Sequence, residues 1–424
     1  MPDKDGVFEH AASGHASARP DQGLPSNPVS GVPPGAPDDS EGGESRSIGP
    51  YRLIRKLGDG GMGKVWLAQQ TEPVRRQVAL KLIRVGIYDD EVVQRFRAER
   101  QSLAMMDHPA IAKVFDAGAT PDGQPYFVME YVPGVPITRY CDDHRLTVEQ
   151  RLELFIRVCE GVQHAHQKAI LHRDLTPGNI LVTETDGKPM PRIIDFGLAK
   201  ATTTEVGETM FTRAGSFVGT PGYMSPEQAS GSADVDTRAD VYALGVVLYA
   251  LLAGVEPFDS TQWTNQPFHE VLRQLQEYEP VAPSTRIRSD QALLAARAGQ
   301  RSVEPKQLEM ELRGDLDWIT MKALEKDRER RFGSPAEMAA DVERYLKNEP
   351  VLARPASTAY RVQKYVRRHR AGVAVAGGLV LLLAVFAVLE AVQIRRVTRE
   401  RDRANRITAF MQQIFKVNDP SQAR

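Results

Sequence analysis

The sequence has 424 residues, of which 42% are hydrophobic and 26% are charged. These values are typical of globular proteins and exclude both a wholly disordered chain and a polytopic membrane protein. The 54 Lys and Arg residues balance 55 Asp and Glu residues, so the net charge of −1 gives no support to nucleic-acid binding. Only Cys141 and Cys159 are cysteines, which excludes a disulfide scaffold and a thiolate zinc site and predicts that both pack in the core.

The first 49 residues are rich in Pro, Gly, Ser, Asp and Ala. The run 25–43 cannot bury enough apolar area to offset the entropy of ordering it. We therefore predict a disordered tail over 1–49. The first ten residues offer no apolar stretch of the kind that a signal peptide needs.

Residues 50–133 predict a small unit rich in strands. Short β-type runs occur at 51–57, 64–68, 78–83, 113–118 and 126–132, and apolar residues at helical spacing predict one helix over 91–106. Residues 134–348 read as mainly helical. The segment 148–166 has one apolar face, and 241–254 is apolar nearly all round, which is typical of a buried central helix. The fold class expected is α+β.

The C-terminal part predicts one membrane-spanning helix. Residues 371–389 carry no charge and are long enough for a hydrocarbon core of about 30 Å. We place the span at 371–393, after a basic juxtamembrane linker at 349–370 and before a helical tail at 394–424. A buried core helix is the alternative for the span. The tail has an apolar stripe on one face: Ile407, Phe410, Met411, Ile414 and Phe415.

A glycine-rich motif, G-x-G-x-x-G, occupies residues 58–63. Glycines let backbone amides approach phosphates closely, although they also simply form turns. A dinucleotide-binding fold would need a helix here, but residues 64–68 read as a strand. The motif therefore predicts a hairpin that covers a phosphate ligand.

Lys81 lies inside an apolar strand, where an unpaired charge is costly. Glu99, on the predicted helix, is a suitable partner, and such a pair would leave ammonium protons free to hold phosphate oxygens. A lysine that reaches the surface is the alternative.

Two acidic motifs follow. In the run 172–179, Asp174 could accept a hydroxyl proton or orient the hydroxyl for attack, and Asn179 could offer its carbonyl oxygen to Mg²⁺. Asp195 follows the strand 192–194 and precedes Phe196 and Gly197; its carboxylate is a suitable hard ligand for Mg²⁺.

In this order, and with 219–227 (GTPGYMSPE), these motifs resemble those of eukaryotic-type protein kinases, and of bacterial transmembrane serine/threonine kinases in particular. The resemblance covers about 51–347. The segment 312–332 and the basic run after it are similar to kinases that carry tetratricopeptide repeats beyond the membrane span, although such repeats are absent here. The resemblance implies a bilobal kinase fold with an N-lobe at 50–133 and a C-lobe at 134–348, followed by one transmembrane helix.

The resemblance also implies ATP and Mg²⁺ as cofactors and a role for each matching residue. Asp174 would be the catalytic base, Lys81 would hold the α- and β-phosphates braced by Glu99, and Asn179 and Asp195 would bind the metal. Glu227 would pair with Arg331, and Asp240 would brace the catalytic loop. The residues expected around ATP are Leu57, Gly58, Gly60, Gly61, Gly63, Val65, Ala79, Lys81, Met129, Glu130 and Val132.

Two positions depart from the family pattern. Thr176 stands in the catalytic loop where serine/threonine kinases have a lysine that contacts the γ-phosphate. Absence of that lysine would cost about 2–4 kcal/mol of transition-state stabilisation. Ser225 replaces an alanine, which is a minor change. Thr176 keeps open a second function, a nucleotide-binding pseudokinase that acts as a scaffold. Dinucleotide-binding and small-molecule kinase interpretations fit 219–227 poorly.

Arg173 precedes Asp174 and needs an anion, which a phosphorylated activation loop would supply. We expect autophosphorylation within 202–216, with solvated loop hydroxyls as the alternative. The regulatory candidates are Thr209, Thr212, Ser216 and Thr220.

The charges flanking the span do not decide its orientation, because six Lys and Arg residues lie close before it, at 354–370, and six lie close after it, at 395–406. The absence of a signal peptide and the cytosolic location of ATP predict a single-pass protein of the cell membrane with a cytoplasmic kinase domain and an extracytoplasmic tail. The expected partners are protein substrates with Ser or Thr acceptors, the lipid bilayer and a second copy of the chain. A tail helix lying on the membrane surface is the alternative to dimerisation.

Overall fold

The computed structural model describes residues 46–60, 63–83, 105–196, 221–232, 234–258, 263, 266–355 and 357–417. Several expectations concern residues outside these ranges. They are the disordered tail up to residue 45, the helix at 91–106 up to residue 104, the loop at 202–216, and the residues Gly61, Glu99, Thr209, Thr212, Ser216 and Thr220.

The N-terminal part is an antiparallel sheet of six strands in the order β1-β2-β3-β4-β6-β5. The strands are β1 (Ser47–Ile48), β2 (Tyr51–Gly60), β3 (Gly63–Gln70), β4 (Arg76–Ile83), β5 (Val114–Ala119) and β6 (Pro125–Glu130). Ser47 and Ile48 lie at the end of the segment expected to be disordered. They pair with Arg52 and Tyr51 across a turn in which Gly49 has a φ of 56°.

Strand β4 shows how the residue sequence sets the two faces of this sheet. Val78 and Leu80 pack into a small cluster that belongs to the N-terminal part, whereas Ala79 and Ile83 join the large core shared with the helices. Successive side chains of a strand point to opposite faces. Lys81 therefore faces the same side as Ala79 and Ile83, toward the helical part.

The remainder is mainly helical, with a small antiparallel sheet of β7 (Val135–Pro136), β8 (Ile180–Thr185) and β9 (Lys188–Ile193). The helices are α1 (Ile137–Asp143), α2 (Val148–His166), α3 (Pro226–Ala229), α4 (Thr237–Ala253), α5 (Phe268–Glu277), α6 (Pro283–Arg288), α7 (Gln291–Gly299), α8 (Pro305–Leu312), α9 (Asp315–Ala323), α10 (Pro335–Leu346), α11 (Thr358–Arg368) and α12 (Arg370–Val417). A strand-rich unit followed by a helical one confirms the α+β class.

Helices α2 and α4 form the centre of the helical part. Helix α2 begins with a capping box in which Thr147 and Gln150 satisfy each other's backbone N–H groups. All residues of 239–253 in α4 are buried, and the helix ends at Gly254, whose φ of 70° suits glycine at that position. The apolar run 241–254 is thus a core helix that supports the loops packed around it.

The C-terminal segment forms two successive helices. Within 349–370, expected as a linker, residues Thr358–Arg368 form α11, and the span and the tail are one helix, α12. Its segment Ala371–Gln412 is long and apolar enough to cross a membrane, and none of its most apolar window is buried. Length and composition alone support a membrane span here.

Candidate active site

Lys81 and Asp195 form an ion pair in the cleft between the six-stranded sheet and the helical part. The distance between Lys81 Nζ and Asp195 Oδ2 is 2.9 Å, and the lysine is buried. Burial of the ammonium group is tolerated because the carboxylate compensates its charge. In the described part of the chain, the partner of Lys81 is therefore Asp195; Glu99 lies outside it.

Asp195 has an uncommon backbone conformation just after strand β9. Its φ is 64°, which costs an aspartate about 1–3 kcal/mol unless the surroundings hold it in place. Phe196, which is buried, packs with its ring centroid 4.6 Å from that of His172, and His172 Nε2 lies 3.0 Å from the carbonyl oxygen of Ile194. These contacts on both sides of Asp195 fix the direction of its carboxylate.

Asp174 is hydrogen-bonded to Asn179 and faces the same cleft. Asn179 Nδ2 donates to the backbone oxygen of Asp174 at 2.7 Å and to its Oδ2 at 3.3 Å. Burial raises the pKa of Asp174 above its ordinary value, and the nearby charge of Asp195 adds to the rise, whereas His172 and Lys81 oppose it. A basic carboxylate beside a second carboxylate and a lysine is suited to accept a proton.

Asp240, near the start of α4, holds the loop that carries Asp174. It accepts hydrogen bonds from the backbone N–H groups of His172 and Arg173, each at 2.8 Å, and its Oδ2 lies 2.7 Å from His166 Nε2. Burial opposes the charge of Asp240, but the hydrogen bond and charge of His166, together with His172, outweigh it and keep its pKa below the usual range. The loop is thus anchored to the core helix through its backbone.

The glycine-rich hairpin is the turn between β2 and β3. Gly63 has a φ of 147°, and a Cβ atom there would lie 2.0 Å from the carbonyl oxygen of Leu82, so only glycine fits. Gly58 and Gly60 have open space where a side chain would be. Leu57 lies at a bulge and is 37% exposed, while Val65 pairs in register with both Gly58 and Lys81.

The inner wall of the cleft is formed by β4 and β6. Ala79 and Met129 are register partners, and both are buried. Behind Met129, a cavity of about 10 Å³ bordered by Phe196 has room for about one water molecule. Met129 thus lines the same small cavity as Asp195 and Phe196.

The chain after Met129 continues along the cleft edge through Glu130 to Val132, which is buried. The Glu130 carboxylate pairs with Arg192 on β9 and accepts from the Lys113 N–H at 3.1 Å, while the Glu130 N–H donates to the Lys113 oxygen at 2.8 Å. The Glu130 side chain is thus tied to β9. Arg192 was missed by the sequence analysis, because nothing in the sequence indicates contact between these two elements.

Glu227 and Arg331 form a buried bidentate ion pair. The two hydrogen bonds are 2.7 and 2.8 Å, and the side chain of Arg331 is 0% exposed. Burial of Glu227 opposes its charge, but the hydrogen bonds and charge of Arg331 outweigh that effect and hold the pKa of Glu227 below its usual range. The pair joins α3 to the turn before α10.

Ser225, read from sequence as a minor change, caps helix α3. It forms a capping box with Gln228, whose Nε2 also donates to the Arg173 carbonyl oxygen at 2.8 Å. Gln228 therefore connects α3 to the catalytic loop, a contact that the sequence did not indicate. Thr176 lies in the same loop, half-buried, immediately before the 3₁₀ turn Pro177–Asn179.

Comparison with known proteins agrees with this geometry. The family described as protein kinase domain matches residues 51–341. The chain is 36% identical over 305 residues to serine/threonine-protein kinase PknB of Mycobacterium tuberculosis, which covers 71% of this chain and 43% of PknB. It is 37% identical over 252 residues to serine/threonine-protein kinase Pkn1 of Myxococcus xanthus, which covers 59% of this chain and 35% of Pkn1.

Solved structures give the same fold. The crystal structure of the Mycobacterium tuberculosis PknI kinase domain has a TM-score of 0.50 and 28% identity, covering 71% of this chain and 98% of that one. The chain spans less than half the length of the curated relatives named above. These relatives are serine/threonine kinases, and nothing among them favours the pseudokinase interpretation.

Proposed function

Because this chain belongs to the protein kinase family, we propose that it transfers the γ-phosphate of ATP to serine and threonine hydroxyls of proteins. One observation carries the proposal: the Lys81–Asp195 ion pair lies in the same cleft as Asp174 and Asn179. Phosphoryl transfer needs positioning and charge neutralisation more than covalent chemistry. A lysine, two carboxylates and an amide in one cleft are suited to both.

In this proposal the nucleotide lies beneath the glycine hairpin. The backbone around Gly58, Gly60 and Gly63 covers the phosphates, and Gly61 belongs to the same loop. Leu57, Val65, Ala79 and Met129 surround the adenine, and the backbone of 130–132 forms its hydrogen bonds. The proposal is supported by the open space at Gly58 and Gly60 and by the close pairing of Ala79 with Met129.

Mg²⁺ fits the donor set of Asp195 and Asn179. The ion prefers oxygen ligands and is commonly bound through one or two carboxylates together with substrate phosphates. Since Asn179 donates through Nδ2 to Asp174, its Oδ1 is the atom that would bind the ion. When bound, Mg²⁺ would neutralise charge on the phosphates, and Lys81 would add its positive charge beside them.

Asp174 receives or orients the proton of the acceptor hydroxyl. A carboxylate whose pKa is raised by burial is a better base than one in water. The backbone bonds from His172 and Arg173 to Asp240 keep Asp174 in position during the reaction. Glu227 and Arg331 support the segment that leads to the peptide-binding side.

The test is transfer of radiolabelled phosphate from ATP to a generic protein substrate by the full chain. Asp174→Asn is the matched control, because it removes the base and changes the side chain little in size. The proposal expects label transfer by the wild type and loss of it in the variant. Transfer that is absent in the wild type, or equal in both proteins, would contradict the proposed function.

Arg173 and the loop after Asp195 suggest regulation by phosphorylation. We propose autophosphorylation within 202–216, where Thr209, Thr212 and Ser216 are the candidates, with Arg173 as the group that binds the phosphate. Thr220, just beyond this segment, is a further regulatory candidate. Mass spectrometry of ATP-treated protein tests this directly, and a segment free of phosphate would count against it.

We further propose that the protein is a single-pass protein of the cell membrane. The support is the segment Ala371–Gln412 in α12, with 371–393 as its apolar part. The lobes at 50–133 and 134–348 would be cytoplasmic, and 394–424 would lie outside. Ile407, Phe410 and Met411, all more than half exposed, offer an apolar face for a second copy of the chain. Crosslinking in membranes tests that pairing.

A further inference from the structure

Helix α11 is docked on the kinase domain by one face. Tyr360 and Lys364, four residues apart, are both buried. Lys364 Nζ lies 2.7 Å from Asp315 Oδ2 on α9, and Tyr360 accepts a hydrogen bond from the Val351 N–H at 3.0 Å. The helix is therefore part of the globular unit.

Docking is reinforced by the segment that leads into α11. Asp341 on α10 is fully buried and accepts the N–H groups of Leu352 and Ala353, each at 2.7 Å. Arg354 Nη1 lies 3.2 Å from Asp315 Oδ1. Backbone and side-chain hydrogen bonds thus hold residues 352–354, which precede the helix, against the domain.

The opposite face of α11 is apolar and exposed. Val362, Tyr365 and Val366 are 61%, 62% and 40% exposed. At about 100° per residue, these three side chains lie on the side of the helix away from Tyr360 and Lys364. Apolar groups gathered on one exposed face indicate an interaction surface.

The charge around this face is positive. Residues 350–389 contain no Asp or Glu, whereas α11 alone contains three arginines and Lys364. Arg361 and Arg368 are exposed and border the apolar face, and Arg368 also pairs with Glu349 at 2.9 Å. Arg361 is therefore the main positive charge beside the face. Basic residues next to Tyr and Val are typical of helices at the boundary between lipid headgroups and acyl chains, and anionic lipids attract them.

The position of α11 in the chain indicates what contacts its apolar face. The helix ends at Arg368, and α12 begins at Arg370, only two residues later. If α12 crosses the membrane from Ala371 onward, α11 lies at the membrane surface, because the connection is too short to let it move away.

We propose that the outer face of α11, formed by Val362, Tyr365 and Val366 and bordered on one side by Arg361 and Arg368, binds the anionic headgroup region of the membrane. The docked face then fixes the base of the kinase C-lobe against the bilayer. The inference rests on the proposed membrane span. With α11 bound to both the C-lobe and the membrane, the kinase domain has a fixed orientation at the bilayer. This orientation limits which substrates reach the cleft.

The test uses full-length protein with a single nitroxide label in nanodiscs. Native Cys141 and Cys159 are both buried, so an introduced cysteine is labelled selectively. Tyr365→Cys reports the proposed face, Leu382→Cys reports the span, and Met310→Cys, at a side chain 76% exposed on α8, is the aqueous control. Collision with oxygen, which favours lipid, is compared with collision with a water-soluble nickel chelate.

The inference expects the label at residue 365 to lose nickel collisions several-fold relative to residue 310 in nanodiscs of phosphatidylcholine with phosphatidylglycerol. The loss should be smaller in phosphatidylcholine alone. A label at 365 that remains as aqueous as at 310, while 382 is in lipid, overturns the inference and leaves the membrane span intact. Equal nickel collision at 365 in the two lipid mixtures overturns the assignment to anionic headgroups.

Two further outcomes would also overturn the inference. Spin–spin broadening at residue 365 would assign the face to a second copy of the chain. An aqueous label at Leu382→Cys would remove the membrane span itself, and the inference with it.

Discussion

At the scale of single residues, Thr176 is the position where a substitution is expected to increase the rate of phosphate transfer. The missing lysine would place a positive charge near the γ-phosphate, where each charge-assisted contact contributes about 2–4 kcal/mol to the transition state. We expect Thr176→Lys to raise kcat by about 30-fold or more, since about 1.4 kcal/mol corresponds to tenfold. Steady-state phosphate transfer measures the change.

The matched control for this variant is Thr176→Met, which adds similar length without charge. Its kcat should stay near that of the wild type. If both variants change kcat equally, charge at this position does not limit the reaction, and the idea that the threonine slows the enzyme is wrong.

Asp174 couples activity and stability to pH. Burial raises its pKa in the folded protein above the ordinary 3.8, so the folded state binds the proton more tightly than the unfolded state. The group therefore stabilises the fold fully below the unfolded pKa, and this contribution is lost as the pH rises through the folded pKa. Activity changes in the opposite sense, because the base works only when ionised.

We therefore expect Asp174→Asn to abolish transfer while leaving the Tm of the nucleotide-free protein at pH 7 equal to or above that of the wild type. The difference in Tm should shrink as the pH is lowered, because the wild-type carboxyl then becomes protonated as well. Asp122→Asn, in an exposed turn, should change neither quantity. A variant that melts well below the wild type at pH 7 would contradict a destabilising buried carboxylate.

The sequence predicts the residues of this site that lie in short motifs, but not those that act through long-range contacts. Lys81, Asp174, Asn179 and Asp195 stand at fixed places in short motifs, so their types and order are visible without coordinates. Arg192 and Gln228 act through contacts with Glu130 and the Arg173 backbone, which lie 62 and 55 residues away. Such contacts depend on how elements pack, and a single sequence carries no signal for them.

At the scale of elements, the Glu227–Arg331 pair ties α3 to the turn before α10. Removing one member of a buried ion pair leaves the other charge uncompensated, which costs about 3–5 kcal/mol. We expect Arg331→Met to lower the free energy of unfolding by this amount. Urea denaturation of the full chain in detergent measures it.

Two controls make this test specific. Arg330→Met changes an arginine that is 70% exposed and should shift the free energy of unfolding by no more than about 0.5 kcal/mol. The double variant Glu227→Gln with Arg331→Met should recover part of the loss, because no charge is then left unpaired. A double variant as unstable as the sum of the two single ones would show that the pair does not act as a unit.

Helix α11 gives a second prediction at this scale. Lys364→Met removes the 2.7 Å ion pair with Asp315, so α11 should unfold locally more often and make the backbone beside its arginines accessible to a protease. We expect trypsin to cleave the segment about tenfold faster, since a buried charged hydrogen bond contributes about 1.5–3 kcal/mol and cleavage follows the open population.

Arg368→Gln is the matched control, because it also removes one trypsin site but breaks only an ion pair whose arginine is 54% exposed. Its cleavage rate should change little, since surface pairs contribute about 0–1 kcal/mol. Equal cleavage of the two variants would mean that Lys364 does not hold the helix in place.

Of the C-terminal elements, the sequence predicts the apolar helix but not the contacts of α11. The apolar run 371–389 is evident from composition, and so is its helical form. The docking of α11 is not, because Tyr360 and Lys364 read as parts of a basic linker until Asp315 and Val351 are seen beside them. Short amphipathic segments are ambiguous in sequence, and their partners decide their structure.

At the scale of the whole molecule, the proposed topology places the two lobes on one side of a membrane and the tail on the other. The flanking charges are balanced, so the orientation rests on the location of ATP and not on the charge rule. Both native cysteines are buried, and burial raises the pKa of the Cys141 thiol to about 11, so neither reacts readily with maleimides at neutral pH. Maleimide labelling of an introduced cysteine therefore shows on which side of the membrane that cysteine lies, without a contribution from the native cysteines.

We expect Met411→Cys, at a side chain 51% exposed on α12, to react with a membrane-impermeant maleimide on intact cells. Tyr278→Cys, 67% exposed in the kinase C-lobe, should react only after the cells are lysed, because the proposed orientation places the kinase lobes inside the cell with ATP. The pair is matched in exposure, so a difference in labelling reports the side of the membrane and not local access. If residue 278 reacts on intact cells and residue 411 does not, the orientation is opposite to the one proposed. If neither residue reacts until lysis, the tail lies on the same side of the membrane as the kinase domain.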